Sequence, residues 1–367
     1  MTKLVLKKYF KAHPEYYGRM VAGYAIGYSV TKDDLEANPH LNSVLEVTRF
    51  YVRWSDMERA SAIVEERFGE GFGEQARYLQ LLRDNAVKKY DRMIASVSAA
   101  ILLPCLLGII GMTREGVPVG IWIQNPISIA VFAFGAVGIK RLGVRLPARA
   151  TVIASVILLG LTFSGQGIDG VHRWLRLPGF TLNAAAVVLP AAIVTLTQLA
   201  REKQTAWVAF GIAGIALLLF LQPDASQLLA FSLPMIVLLT GADFPKALKL
   251  CGSILLAALA LLSWLHPDHL PPVSYTEGIL DMLRGQSTML YVVGSLALFW
   301  VPVRFMIGGL EKGQRAELGI ALYYALLILA SFVGNFPVPF MGYGVSPILG
   351  YYVMLIESHR LTGRRAK

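Results

Sequence analysis

The chain has 367 residues, 55% of them hydrophobic and 16% charged, with a mean hydropathy of +0.55. Soluble domains run at about 45–50% apolar and about 25% charged, so the balance excludes an ordinary soluble domain and, further still, a disordered chain. The two cysteines, Cys105 and Cys251, lie in apolar runs and read as small buried thiols; they exclude a disulfide framework and a cysteine-rich metal site.

Residues 1–92 hold 15 Lys/Arg and 13 Asp/Glu, about half of all charges in a quarter of the length. Ser55-Asp56-Met57-Glu58 has the form of a capping box that opens a helix running to about Gly69. A second helix is expected from about Glu74, leading through Tyr90-Asp91-Arg92 into apolar sequence. The first long apolar run begins near residue 94 without a small-residue cleavage pattern, so no signal peptide is expected. The sequence therefore predicts a cytosolic helical region over 1–92, a membrane domain over 93–360 and a basic cytosolic tail over 361–367.

From residue 94 onward, apolar runs recur that are about long enough for a hydrocarbon core of roughly 30 Å. Ten helices are predicted, over 94–112, 120–139, 148–164, 181–199, 205–221, 225–241, 248–265, 288–307, 317–334 and 342–357. The fold class is thus an all-α, polytopic integral membrane protein. Only Gln222-Pro223-Asp224 separates the fifth run from the sixth, which forces those helices side by side.

Orientation follows from the basic residues in the connections. With the N-terminus inside, about 15 Lys/Arg after residue 92 fall on the cytoplasmic side, including Lys140, Arg141, Lys312 and Arg315. About four fall opposite, namely Arg114, Arg173, Arg176 and Arg284. That bias places both termini in the cytoplasm of a cell whose inner membrane holds the protein. It also accounts for the net charge of +10 as a topogenic and lipid-headgroup signal, so nucleic acid is not required.

Four stretches on the outer side carry chemistry. Gly165 to Thr181 contains Gly170-Val171-His172-Arg173-Trp174-Leu175-Arg176, which suits either an interfacial segment or a docking surface for an anionic, phosphorylated substrate. Asp224 reads either as turn chemistry or as a structural anchor between helix ends. His266 to Ser287 concentrates His266, Asp268, His269, Glu277, Asp281 and Arg284. Pro267 breaks helical ligand spacing there, so a divalent metal is not indicated and the cofactor stays open. A carboxylate in this loop could act as a general base on a sugar hydroxyl, and a solvated loop would have the same composition. The uncharged stretch Gly334 to Pro347 has too many prolines and glycines for a regular helix. Irregular backbone at membrane depth needs surrounding protein or a water-filled cavity, so a re-entrant element lining a binding site is expected.

Taken in order, these segments resemble the SEDS family, the shape, elongation, division and sporulation proteins of bacteria. Gly170-Val171-His172-Arg173-Trp174 is similar to that family's G-A-x-R-W after the third helix. Leu221-Gln222-Pro223-Asp224 is similar to its Q-P-D turn, and Val338-Pro339-Phe340-Met341-Gly342-Tyr343-Gly344-Val345-Ser346 to its L-P-F-x-S-Y-G-G-S. The resemblance covers about 94–360 and leaves 1–92 outside. It implies a peptidoglycan glycosyltransferase that polymerises an undecaprenyl-linked disaccharide-peptide precursor, working with a single-pass transpeptidase of the class B penicillin-binding type.

By the same resemblance, Glu277 stands where the family has its essential aspartate, with Asp281 as the fallback. Arg173, Trp174 and Arg176 with Pro339, Tyr343 and Ser346 would meet the substrate, and Asp224 would hold the turn. The chain departs from the family pattern on the chemistry: Leu182-Asn183-Ala184-Ala185 replaces Q-P-S-E, and Gly342 and Val345 replace a serine and a glycine. An alternative is a non-catalytic SEDS-like scaffold that recruits a cytosolic partner through residues 1–92. A transporter is disfavoured because the spans are almost free of charge; Arg304 lies near a helix end, where it can snorkel.

Overall fold

A computed structural model describes residues 94–142, 147–177, 180–265, 270–312 and 315–363. The helices expected before residue 93, the segment His266–His269 and the last residues of the tail lie outside the described residues. Ile94–Ser358 forms one compact unit.

Its elements follow the apolar runs. They are α1 (Ile94–Arg114), the single turn α2 (Val119–Trp122), α3 (Gln124–Leu142) and α4 (Ala148–Leu161). A hairpin of β1 (Trp174–Leu177) and β2 (Phe180–Asn183) leads into α5 (Ala184–Arg201), α6 (Thr205–Leu221) and α7 (Ala225–Gly241). Then come α8 (Lys246–Leu265), the short α9 (Ile279–Gln286), α10 (Thr288–Lys312), α11 (Arg315–Val333) and α12 (Val345–Gly363). Among the described residues, six helical segments are long and apolar enough to cross a bilayer, and Ala148–Ser164, Thr205–Leu221, Ala225–Gly241 and Val345–Ser358 are shorter apolar helices. The chain is a multi-pass α-helical membrane protein.

Two local departures from the expected elements are informative. The run expected to be helical from residue 181 starts later, because Thr181–Asn183 pair with the preceding strand in the register Trp174↔Asn183 and Arg176↔Thr181. Asn183 then caps α5, its Oδ1 accepting the Ala186 N–H at 3.0 Å. The second departure is α9, which forms inside what reads as a charged loop. Ile279, Leu280 and Leu283 share one buried face, while Asp281 and Arg284 are exposed.

The bundle is built around α5, which packs on α4, α6, α7 and α11 and is buried along almost its whole length. Its composition explains that place. Without a hydrophobic drive between helices in lipid, small residues that let backbones approach are what select an interior helix. Ala184, Ala185, Ala186, Ala191 and Ala192 are all buried there. The partner helices answer with glycines. A Cβ on Gly350 of α12 would collide with the Ala186 carbonyl, and one on Gly211 of α6 would lie 2.7 Å from Leu196. By contrast α8 packs on α6 and α7 and buries Leu256, Ala260 and Ser263, leaving most of its apolar surface outward.

Gly350→Ala is therefore expected to force α12 away from α5 and to destabilise the protein by about 1–3 kcal/mol. Gly135→Ala, where an added Cβ meets nothing within 4 Å, serves as the control. Thermal unfolding in detergent should show a lower midpoint for the first and no loss for the second. Equal midpoints would contradict the close approach.

Candidate functional site

The end of the bundle that carries the hairpin gathers the motif residues into two bonded groups. In the first, the turn between α6 and α7 is held from both sides. Gln222, 0% exposed, donates from Nε2 to the Leu159 carbonyl at 3.0 Å and to Thr162 Oγ1 at 2.8 Å, tying the turn to the end of α4. Asp224 is the N-cap of α7, its Oδ1 accepting from the Gln227 N–H at 3.3 Å and from the Ser226 hydroxyl at 3.2 Å. Its Oδ2 lies 3.5 Å from Arg173 Nε, and the Arg173 guanidinium also donates to the Pro223 carbonyl. Both side chains are buried, Arg173 at 8% exposure and Asp224 at 3%. A buried ion needs its partner, since its hydration is gone. Each of these two charges therefore fixes the other, and the pair clamps the hairpin onto the α6–α7 turn.

The second group centres on the irregular segment 334–344 between α11 and α12. Val338, Pro339, Phe340, Met341 and Gly342 are all buried, so the segment dips into the bundle. Phe340 has a φ of +66°, a conformation that a bulky residue adopts only where its surroundings impose it. Its ring lies 5.2 Å from that of Tyr324 and 5.3 Å from that of Tyr351, inside the aromatic core. The Met341 carbonyl sits against Gly108 of α1, where any Cβ would overlap it.

This segment holds the turn that carries Glu277. The Tyr343 N–H donates to the Tyr275 carbonyl at 2.8 Å, and the Val338 N–H to the Thr276 carbonyl at 3.4 Å. The Tyr275 and Tyr343 rings meet edge to face with centroids 6.0 Å apart. Within the turn, the amides of Thr276, Glu277 and Gly278 converge on the Val273 carbonyl at 3.0–3.1 Å. Glu277 Oε2 in return accepts the Val273 N–H at 2.9 Å. Glu277 is half-buried, whereas Asp281 in the first turn of α9 is exposed. The helix α9 is seated by glycines, with Leu283 Cδ2 2.7 Å from where Gly111 would carry a Cβ and its Cδ1 3.1 Å from that of Gly294.

Among the residues singled out from sequence, Arg173 and Asp224 are thus in contact, and Tyr343 lies beside the Glu277 turn. Ser346 links the two groups, its hydroxyl accepting the Asn183 N–H at the head of α5 at 2.9 Å. Pro339 is buried within the segment, and Trp174 is half-buried on the hairpin. Arg176 is exposed and donates to the Gly167 carbonyl at 3.3 Å. Among the described residues no group of three His, Cys, Asp or Glu side chains could hold a metal ion.

Two residues central to this site escape a reading of the sequence. Asn125 of α3 is 0% exposed and donates from Nδ2 to the Gly342 carbonyl at 2.9 Å, while its Oδ1 accepts the Gly344 N–H at 3.2 Å. Its neighbour Gln124 accepts from the Tyr343 hydroxyl at 3.2 Å. The signal available was Gln124-Asn125-Pro126 in an otherwise apolar run, an amide pair costly to bury unless bonded.

No family model matches the chain. Over 162 residues it is 27% identical to a probable peptidoglycan glycosyltransferase FtsW of Alcanivorax borkumensis, an alignment covering 40% of this chain and 41% of that protein. Over 84 residues it is 31% identical to a probable peptidoglycan glycosyltransferase FtsW of Caulobacter vibrioides, 20% of this chain and 21% of that protein. The match thus spans less than half the length of either relative. The fold is similar to the crystal structure of the rod shape determining protein RodA of Thermus thermophilus, with a TM-score of 0.52, 20% identity, and coverage of 73% of this chain and 95% of that one. A mutant of the same protein matches with a TM-score of 0.52 at 19% identity, covering 73% of this chain and 96% of that one.

Proposed function

We propose that the chain is a SEDS-type protein and, within that group, a divergent peptidoglycan glycosyltransferase acting on a lipid-linked disaccharide-peptide precursor, a reading supported by its likeness to the FtsW relatives and to the RodA fold. The observation that carries this reading is the placement of the Glu277 turn. Segment 334–344 is rooted in the aromatic core and holds that turn by main-chain bonds, which gives a carboxylate a fixed position at one end of a membrane bundle. In this reading the hairpin end faces outward and both termini lie in the cytoplasm, as the basic residues favour. Residues 1–92 then form a cytosolic region that a cytosolic partner can dock, and a single-pass class B transpeptidase works beside the bundle.

Glu277 is assigned as the base that takes a proton from the acceptor sugar hydroxyl, with Asp281 as the fallback. Tyr343 stands beside the carboxylate turn, half-buried against Tyr275, and is assigned to the sugar; the exposed Arg176 with Trp174 supplies a cationic edge for the pyrophosphate. Arg173 is reassigned from substrate to scaffold, because its guanidinium is buried against Asp224 and Pro223.

The test is polymerisation of labelled precursor by purified protein, alone and with candidate class B partners, comparing wild type with Glu277→Gln and Asp281→Asn. Loss of polymer with one substitution identifies the base. A second reading, a scaffold without chemistry, is favoured by one observation: Glu277 Oε2 already closes its own turn on Val273. It predicts no polymer under any pairing from protein that still binds the precursor.

A further inference from the structure

We propose that Asn125 is a positioning residue, setting the place of the Glu277 turn without contact to it. The inference rests on the glycosyltransferase reading for its effect on activity but not for its structural content. Asn125 is buried in α3 and uses both ends of its amide on one short piece of chain: Nδ2 on the Gly342 carbonyl, Oδ1 on the Gly344 N–H. Only a side chain with a donor and an acceptor side by side can do this, so neither leucine nor alanine replaces it.

What Asn125 fixes is the stretch between those two bonds, and that stretch holds the Glu277 turn. Tyr343 is the residue between them, and its N–H carries the bond to the Tyr275 carbonyl. Gly342 itself stands so close to Thr276 that a Cβ on it would lie 2.5 Å from the Thr276 carbonyl oxygen. A shift of segment 342–344 therefore has to move Tyr275 and Thr276, and with them the turn in which Glu277 caps Val273. Gln124 reinforces the link by accepting from the Tyr343 hydroxyl. Displacement of a reacting group by about 1 Å can cost roughly 10²-fold in rate, so this link bears on turnover more than on binding.

The test uses the full chain in nanodiscs and two readouts. The first is amide hydrogen exchange at Val273, whose N–H reports the Glu277 cap, with Gln227 at the head of α7 as the remote control. In Asn125→Ala, protection at Gly344, Tyr343 and Val273 is expected to fall about tenfold or more, with Gln227 unchanged. Loss confined to Gly344 overturns the proposal. The second readout is Asn125→Asp, followed over pH. A protonated aspartate offers one donor and one acceptor as asparagine does, and an ionised one offers no donor to Gly342. Protection at Val273 relative to wild type should therefore match wild type on the acid side and fall to the alanine level on the alkaline side. Tyr275, Tyr343 and Glu277 are the ionisable groups facing this segment, and wild type measured at each pH serves as their control. A pH-independent ratio overturns the proposal, and this arm decides it if the alanine variant does not fold. Where polymer is formed, kcat should fall with KM nearly unchanged. If wild type makes no polymer, the glycosyltransferase reading fails and exchange at Val273 alone decides the role of Asn125.

Discussion

Arg173→Ala is expected to be the most destabilising single substitution in the described structure, by about 3–5 kcal/mol. It removes the guanidinium from a pair in which both side chains are buried and leaves the Asp224 carboxylate without that counter-charge. Asp224 is meanwhile held at the head of α7 by its capping bonds, so it cannot turn out to water without uncapping the helix. Asp224→Asn relieves this. Asparagine is as good an N-cap as aspartate, and it no longer needs a cation. Asp224→Asn alone strands the arginine, and Arg173→Met with Asp224→Asn should recover most of the loss. A double-mutant cycle on thermal midpoints in detergent measures the coupling. Additive losses would show that the two charges do not depend on each other.

The largest effect on activity is expected from Glu277→Gln. The glutamine carbonyl can still accept the Val273 N–H, so the turn survives while the charge and the basic site disappear. That makes the substitution a cleaner test than alanine, which would also uncap the turn. Loss of general-base catalysis costs roughly 10²–10⁴-fold, and polymer formation should fall by that factor with precursor binding and thermal midpoint close to wild type. Asp281→Asn, on an exposed side chain of α9, should then have little effect. The reverse pattern would transfer the role to Asp281, and two silent substitutions would remove the carboxylate from the mechanism.

Much of the scaffold was legible because lipid imposes one strong rule, that a crossing segment be apolar and helical. The expected segments 205–221 and 225–241 coincide with α6 and α7, and the turn between them is the Gln222-Pro223-Asp224 that its residue types announce. The prolines and glycines from Gly334 likewise announced irregular backbone, which ends at Gly344 and not at Pro347, because α12 begins at Val345. What escaped was short or long-range. Four-residue strands carry too few residues for alternation to stand out, so Thr181–Asn183 read as the start of a helix. The apolar face of α9 amounts to Ile279, Leu280 and Leu283 among charges. The pairing of Arg173 with Asp224, and the hold of Asn125 on Gly342, join residues far apart in sequence. No local pattern encodes such a partner, even where the residue type says that one is needed.

The rooting of Phe340 has a kinetic consequence. A segment tied to solvent-exposed groups can lift and close like a flap, gating entry. This one would have to withdraw a phenylalanine from Tyr324 and Tyr351, at about 1.5–3 kcal/mol for the side chain alone. The side chain alone thus holds the lifted form below roughly one molecule in ten, and the bonds to Tyr275, Thr276 and Asn125 lower it further. In the proposed reading, the segment therefore stands beside the Glu277 turn as a fixed post and not as a swinging door.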